Sequence, residues 1–163
     1  MVTQNGNPKE SRPPTLEDLV SLCRALNTRK AKYIVIGGMA VIQHGFVRAT
    51  EDIDLLVETS RENEKAVIAA LSQLPDAAAR ELKPGDIDEF EVIRIADEIV
   101  VDVMKSACGV DFAQASKSVL KVKLQGVEIP FADAALMIRL KQGVRSKDQL
   151  DLGFFMSLSQ KKH

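Results

Sequence analysis

The sequence predicts a single α/β (α+β) domain: a small mixed β-sheet flanked by helices, with a helix pair at its C-terminal end. Three observations predict it. Short apolar runs rich in β-branched residues alternate along the chain with segments of helical periodicity. The length of 163 residues is that of one domain. A chain of this size buries about 68–70% of its unfolded surface, so it needs neither disulfides nor a structural metal to fold.

Residues 1–14 are polar, carry Pro13-Pro14, and read as a flexible tail ahead of a domain over 15–163. Thr15 followed by Glu17 and Asp18 opens a helix, and Leu16, Leu19, Val20, Leu22, Cys23 and Leu26 keep helical spacing to about Asn27. Tyr33–Ile36 is a buried strand that stops at Gly37-Gly38. Met39–His44 is a short helix closed by Gly45. Ile53–Val57 is the second strand. Thr59 to Glu62 has capping-box spacing and opens a helix to Leu74, before Pro75. Residues 77–88, with Pro84-Gly85, read as loop with room for a short strand. Phe90–Ala96 and Ile99–Met104 form a hairpin about Asp97-Glu98. Val119–Leu124 is a strand with one wet face, turned by Gln125-Gly126 into Val127–Ile129. Helices follow from Asp133 to Gly143 and from Ser146 to Ser159.

Composition excludes several classes. Hydrophobic residues make up 45% and charged residues 28%, so the chain is neither disordered nor collagen-like. No run reaches the ~20 apolar residues of a membrane span, and residues 1–14 lack the apolar core of a secretory signal. Cys23 and Cys108, far apart and without CxxC spacing, fit reduced thiols and a cytoplasmic setting. The net charge is -1, which argues against a whole-protein polyanion binder. Its distribution is uneven: fifteen Asp/Glu against five Lys/Arg over Glu51–Asp102, then seven Lys/Arg against two Asp/Glu over Lys117–Lys147. Either these are two solvated faces, or an acidic cation site faces a basic region that receives phosphates.

Asp52-Ile53-Asp54 opens the second strand, and residues i and i+2 of a strand share a face. Two carboxylates that close repel, and a divalent cation removes the conflict. Mg²⁺ is commonly held by one or two carboxylates together with substrate phosphates. Asp102 lies inside the apolar run Ile99–Met104, where a charge needs a partner or a metal. If its strand lies beside Ile53–Val57, three carboxylates converge, a set suited to two-metal phosphoryl or nucleotidyl transfer. Gly37-Gly38 allows backbone N–H groups to approach phosphate, and reads equally as a plain tight turn. Asp86-Ile87-Asp88 repeats the tripeptide without its context and reads as a polar loop.

An apolar strand, Gly37-Gly38, thirteen intervening residues, Asp52-Ile53-Asp54 on a second strand and Asp102 on a later one together resemble the DNA-polymerase-β-like nucleotidyltransferase superfamily. Ile36–Val57, with Met39-Ala40, His44-Gly45, Arg48 and Thr50, looks like its small bacterial and archaeal members. These include minimal nucleotidyltransferases and the nucleotidyltransferases of toxin–antitoxin and abortive-infection systems. Lys141 and the Lys147-Asp148 to Asp151-Leu152 pattern look similar to the same group, so the resemblance spans about Tyr33–Leu158. It implies that Gly37 and Gly38 hold the β- and γ-phosphates. It implies that Asp52 and Asp54 ligate both metal ions, and that Asp102 ligates the catalytic one and helps deprotonate the acceptor. Much of the superfamily has Gly-Ser where this chain has Gly37-Gly38, so a serine hydroxyl to phosphate is missing.

Arg48, Thr50 and Lys141 are candidates to touch the nucleotide, though Arg48 and Lys141 read equally as surface residues. His44 reads as structural and Asp148 and Asp151 as helix anchors, while Lys117, Lys121 and Lys123 read as a solvated edge strand ahead of the alternative that they receive RNA phosphates. The implied activity is transfer of a nucleoside monophosphate from an NTP to an acceptor hydroxyl, with Mg²⁺ (or Mn²⁺) as cofactor and pyrophosphate as product. A tRNA or other RNA 3′ end, a protein side chain or a small molecule would each serve as acceptor. With no room for a large second domain, a homodimer or an antitoxin-like partner would complete the acceptor site; no membrane is implied. The alternative is a non-catalytic nucleotide-binding or protein-interaction module on the same fold, which intact carboxylates disfavour.

Overall fold

The computed structural model describes residues 2–5, 10–45 and 50–140, together with Met156. The chain runs β1 (Val2–Asn5), α1 (Leu16–Thr28), β2 (Tyr33–Ile36), α2 (Gly37–Gln43), β3 (Asp52–Val57) and α3 (Arg61–Leu71). A 3-10 turn (Ala78–Glu81), α4 (Asp86–Phe90), β4 (Val92–Ala96) and β5 (Val100–Met104) follow. Then come β6 (Ser106–Ala107), β7 (Val110–Asp111), α5 (Phe112–Ala115), β8 (Val119–Leu124), β9 (Val127–Ala132) and α6 (Ala134–Leu140). Seven strands form one mixed sheet in the order β1-β4-β5-β3-β2-β9-β8. β3 and β5 are parallel at its centre, and β4, β2 and β8 run antiparallel to β5, β3 and β9 in turn. This is the mixed α/β architecture that the interleaved pattern predicts.

One sheet face is wholly apolar at the centre. Ile93 and Ile95 of β4, Val101 and Val103 of β5, and Ile53 and Leu55 of β3 lie in register and are fully buried. Each such side chain contributes roughly 1.5–3 kcal/mol on leaving water. α1 packs on α3 and along β9 through Leu19, Leu22, Cys23 and Leu26. Its start is a full capping box: Thr15 accepts from the Asp18 N–H, and Asp18 accepts from the Thr15 N–H at 2.7 Å.

The structure corrects several expectations. Residues 2–5, expected in a tail, form β1, which pairs parallel with β4 from Val2–Ile93 to Asn5–Ala96. Ser11 Oγ donates to the Asp97 carbonyl at 2.6 Å and the Arg12 N–H to the Glu98 carbonyl at 2.9 Å. Edge pairing uses main-chain groups, which a polar stretch offers as readily as an apolar one. The cap of α3 is Ser60, which accepts from the Asn63 N–H, while the Thr59 hydroxyl donates to Asp88. α3 ends at Leu71, and single turn bonds carry the chain on to Leu74. The expected loop 77–88 holds the 3-10 turn and the start of α4. β9 continues past Pro130 to Ala132, and the β6–β7 hairpin and α5 went unread. The expected helix from Asp133 is present over Ala134–Leu140, with Asp133 accepting from the Leu136 N–H. Its end at Gly143 and the expected helix Ser146–Ser159 lie outside the described residues.

Two buried acids hold the connections. The Asp97 carboxylate accepts from the N–H groups of Asp76 and Ala78 at 2.8 Å and of Glu98 at 2.7 Å, tying the β4–β5 hairpin to the segment after α3. Glu64, fully buried on α3, accepts from the N–H groups of Gly85 and Ile87 through one oxygen, capping α4. No helix among the described residues is long and apolar enough to cross a membrane.

Asp18 also receives both guanidinium Nη atoms of Arg12, at 2.6 and 2.9 Å, which together with Thr15 hold its carboxyl at about 2. A depressed pKa adds stability that is complete above the ordinary carboxylate range near 4 and is lost as pH falls through about 2. Asp18→Asn should therefore cost about 1 kcal/mol near neutrality, and its urea midpoint should converge on the wild-type midpoint as pH falls from about 4 toward about 2. A constant gap across that range would exclude this role.

Candidate functional site

The site begins with strand periodicity. Asp52 and Asp54 are two residues apart on β3, so both leave the sheet on the face opposite Ile53 and Leu55. Parallel pairing sets Asp54 opposite Asp102 of β5. One carboxylate oxygen from each of Asp52, Asp54 and Asp102 lies within 4.8 Å of the other two. Asp102 is buried and the other two are half-buried. Such proximity is paid for by the apolar residues alternating with the acids, because exchanging the faces would expose four fully buried side chains.

The next strand supplies a cation. The β4–β5 hairpin sets Arg94 opposite Asp102. Arg94 Nε donates to Asp102 Oδ1 and an Nη to Oδ2, both at 3.1 Å, and the same Nη lies 3.5 Å from Asp52. One rung therefore crosses the sheet as Arg94, Asp102, Asp54 and Ile36. The guanidinium pKa is raised, first by the hydrogen bond to Asp102 and then by the charges of Asp102, Asp52 and Asp54, against the opposing cost of burial. Asp102 thus meets the expected requirement for a partner, and Arg94 is that partner.

No family model matches the sequence, and no curated protein matches it. Among solved structures, one from Thermotoga maritima, described as "a putative nucleotidyltransferase", aligns with a TM-score of 0.50 at 17% identity, over 90% of this chain and 89% of that one. The fold is nucleotidyltransferase-like. At that identity the likeness is one of fold, and the acidic cluster sits at the centre of this chain's sheet.

The glycine pair on this nucleotidyltransferase-like fold does something the sequence did not announce. β2 runs straight into α2 with no loop between, and Gly37 is the first helical residue, at φ +69°. A Cβ there would lie 2.0 Å from Asp54 Oδ2 and 2.8 Å from its Cγ. Gly37 thus leaves the space that the Asp54 carboxylate fills, in addition to any role toward phosphate. Thr50 is buried, and its hydroxyl donates to the Asp52 carbonyl at 3.0 Å, fixing the start of β3. It also lines a cavity of about 360 Å³ with Pro14, Met39, Ile42 and Phe131. His44 Nε2 is 2.9 Å from the Ala132 carbonyl, a structural contact between α2 and β9. Arg48, Lys141, Asp148 and Asp151 lie outside the described residues.

The control tripeptide behaves as expected in one respect and not in another. Asp86 and Asp88 are no part of the acidic cluster, but they start a helix rather than a loop. Lys121 and Lys123 are exposed on the edge strand β8, and Lys121 meets Glu128 across β9 at 3.8 Å. Among the described residues, Arg94 is the charged member of the site that sequence reasoning missed. The available signal was its place as the lone charge in Val92–Ala96, a strand already assigned to a hairpin with Asp102.

Gly37→Ala should destabilise the protein by about 2–4 kcal/mol, combining a left-handed backbone with the clash against Asp54. Gly85→Ala, at φ +107° with no atom within 4 Å of the added Cβ, should cost only about 1–2 kcal/mol. Urea denaturation compares the two; equal losses would mean that Asp54 does not rest on Gly37.

Proposed function

We propose that the protein is a divalent-metal-dependent nucleotidyltransferase that moves a nucleoside monophosphate from an NTP to an acceptor hydroxyl and releases pyrophosphate. The observation that carries this reading is the convergence of Asp52, Asp54 and Asp102, each with an oxygen within 4.8 Å of the others. An all-oxygen, anionic donor set fits Mg²⁺ or Mn²⁺ better than a softer metal. When bound, the metal supplies charge that neutralises the triphosphate and favours the in-line displacement. Asp52, Asp54 and Asp102 hold it in this reading, and Asp102 takes part in drawing the proton from the acceptor hydroxyl. Gly37 lies against Asp54, and in this reading the N–H groups of Gly37 and Gly38 meet phosphate oxygens. Thr50 orients Asp52, and Arg48 and Lys141 complete the phosphate contacts. Catalysis is then mainly positioning and charge stabilisation.

The acceptor and its setting follow the resemblance: an RNA 3′ end, a protein side chain or a small molecule, in a toxin–antitoxin-like system whose partner or second copy completes the acceptor site. Incubation with Mg²⁺ and each α-labelled NTP, with cell RNA and cell protein in separate tubes, tests the reading. Label should appear on one fraction and vanish with Asp54→Asn and with Asp102→Asn. No label from folded protein that still binds MgNTP in calorimetry would favour a non-catalytic nucleotide-binding module. A monomeric elution profile with full activity would remove the need for a partner.

A further inference from the structure

We propose that Arg94 is a resident counter-ion of the acidic cluster and competes with a divalent cation for Asp52 and Asp102. This rests on the metal-binding reading above and adds a residue to it. Arg94 engages both oxygens of Asp102 at 3.1 Å and reaches Asp52 at 3.5 Å. These are two of the three carboxylates a metal ion would use. The planar fork of arginine matches a carboxylate in this two-point way, and it carries its charge at every accessible pH. A divalent ion entering the cluster meets oxygens already engaged and a like charge beside them.

The surroundings allow the exchange. The Arg94 side chain is 38% exposed whereas that of Asp102 is 9% exposed, so the guanidinium can leave for water while the carboxylate stays. Arg94 projects from β4, which lies outside β5 in the sheet, so its departure opens no gap between β3 and β5. A nucleotide changes the balance, because its phosphates bring negative charge and accept from a released guanidinium. Arg94 thus holds off metal alone and admits metal that arrives with a triphosphate. It is a positioning residue: in the metal-free protein it keeps Asp102 and Asp52 together despite their repulsion.

The test is Mn²⁺ binding without nucleotide, by calorimetry, to wild type, Arg94→Gln and Arg94→Lys. Metal-free and Mn²⁺-loaded Tm values are measured in parallel. Arg94→Gln should bind Mn²⁺ at least about fivefold more tightly, with a lower metal-free Tm that Mn²⁺ restores. Arg94→Lys, which keeps the charge and loses the fork, should fall between. Equal or weaker Mn²⁺ binding by Arg94→Gln overturns the proposal while leaving the metal site intact. Should Arg94→Gln not fold, Arg94→Lys decides: tighter binding than wild type supports the competition, and equal or weaker binding overturns it. Absence of Mn²⁺ binding to every folded form that still binds MgNTP overturns this inference alone, and absence of both kinds of binding refutes the metal reading with it.

Discussion

Three carboxylates held within 4.8 Å of one another at the centre of a sheet are the constraint around which this molecule is arranged. Each pair of unit charges within 4.8 Å repels by about 3–4 kcal/mol at an effective dielectric near 20. Strand periodicity supplies the opposing force. The residues alternating with the acids are fully buried apolar side chains on the other face, and at roughly 1.5–3 kcal/mol each the four together are of the same order as the repulsion. Arg94 relieves part of what is left, and the missing Cβ of Gly37 gives Asp54 somewhere to sit.

The same constraint links the periphery to the centre. Arg94 meets Asp102 only because the β4–β5 hairpin has one register, and Asp97 holds the tip of that hairpin with three main-chain hydrogen bonds to its carboxylate. Ser11 and Arg12 bind the same tip from the N-terminal side. Glu64 sets α4 directly before β4. None of these groups touches the cluster, yet each restricts the strand that carries its cation. A change at Asp97 would therefore reach the site through register.

The hairpin also shows where sequence reading lost resolution. A two-residue turn at Asp97-Glu98 pairs Ala96 with Ile99 and so Asp102 with Ile93, which leaves Asp102 without a partner. The actual turn also contains Ile99, which pairs Ala96 with Val100 and Arg94 with Asp102. One residue separates an orphaned charge from an ion pair, because side chains alternate with period two. The short pieces between Ala77 and Phe90 and between Ser106 and Ala115 were illegible for a different reason. They are held by single caps and buried acids rather than by periodic apolar faces. The N-terminal strand was hidden because its parallel pairing is made by the backbone.

By itself the sequence determined what depends on near neighbours. It determined the buried strands Tyr33–Ile36 and β3, the capped helix α1, the α/β class, and the shared face of Asp52 and Asp54, all consequences of local periodicity and capping. It also marked Asp102 as a charge needing a partner. Only the tertiary structure decided that β5 lies beside β3, that Asp102 stands opposite Asp54, that Arg94 is the partner, and that Gly37 makes room for Asp54. Those contacts join residues far apart in the chain. Strand order and register are settled by which apolar faces can be buried together across the whole sheet, and no local window of sequence contains that information.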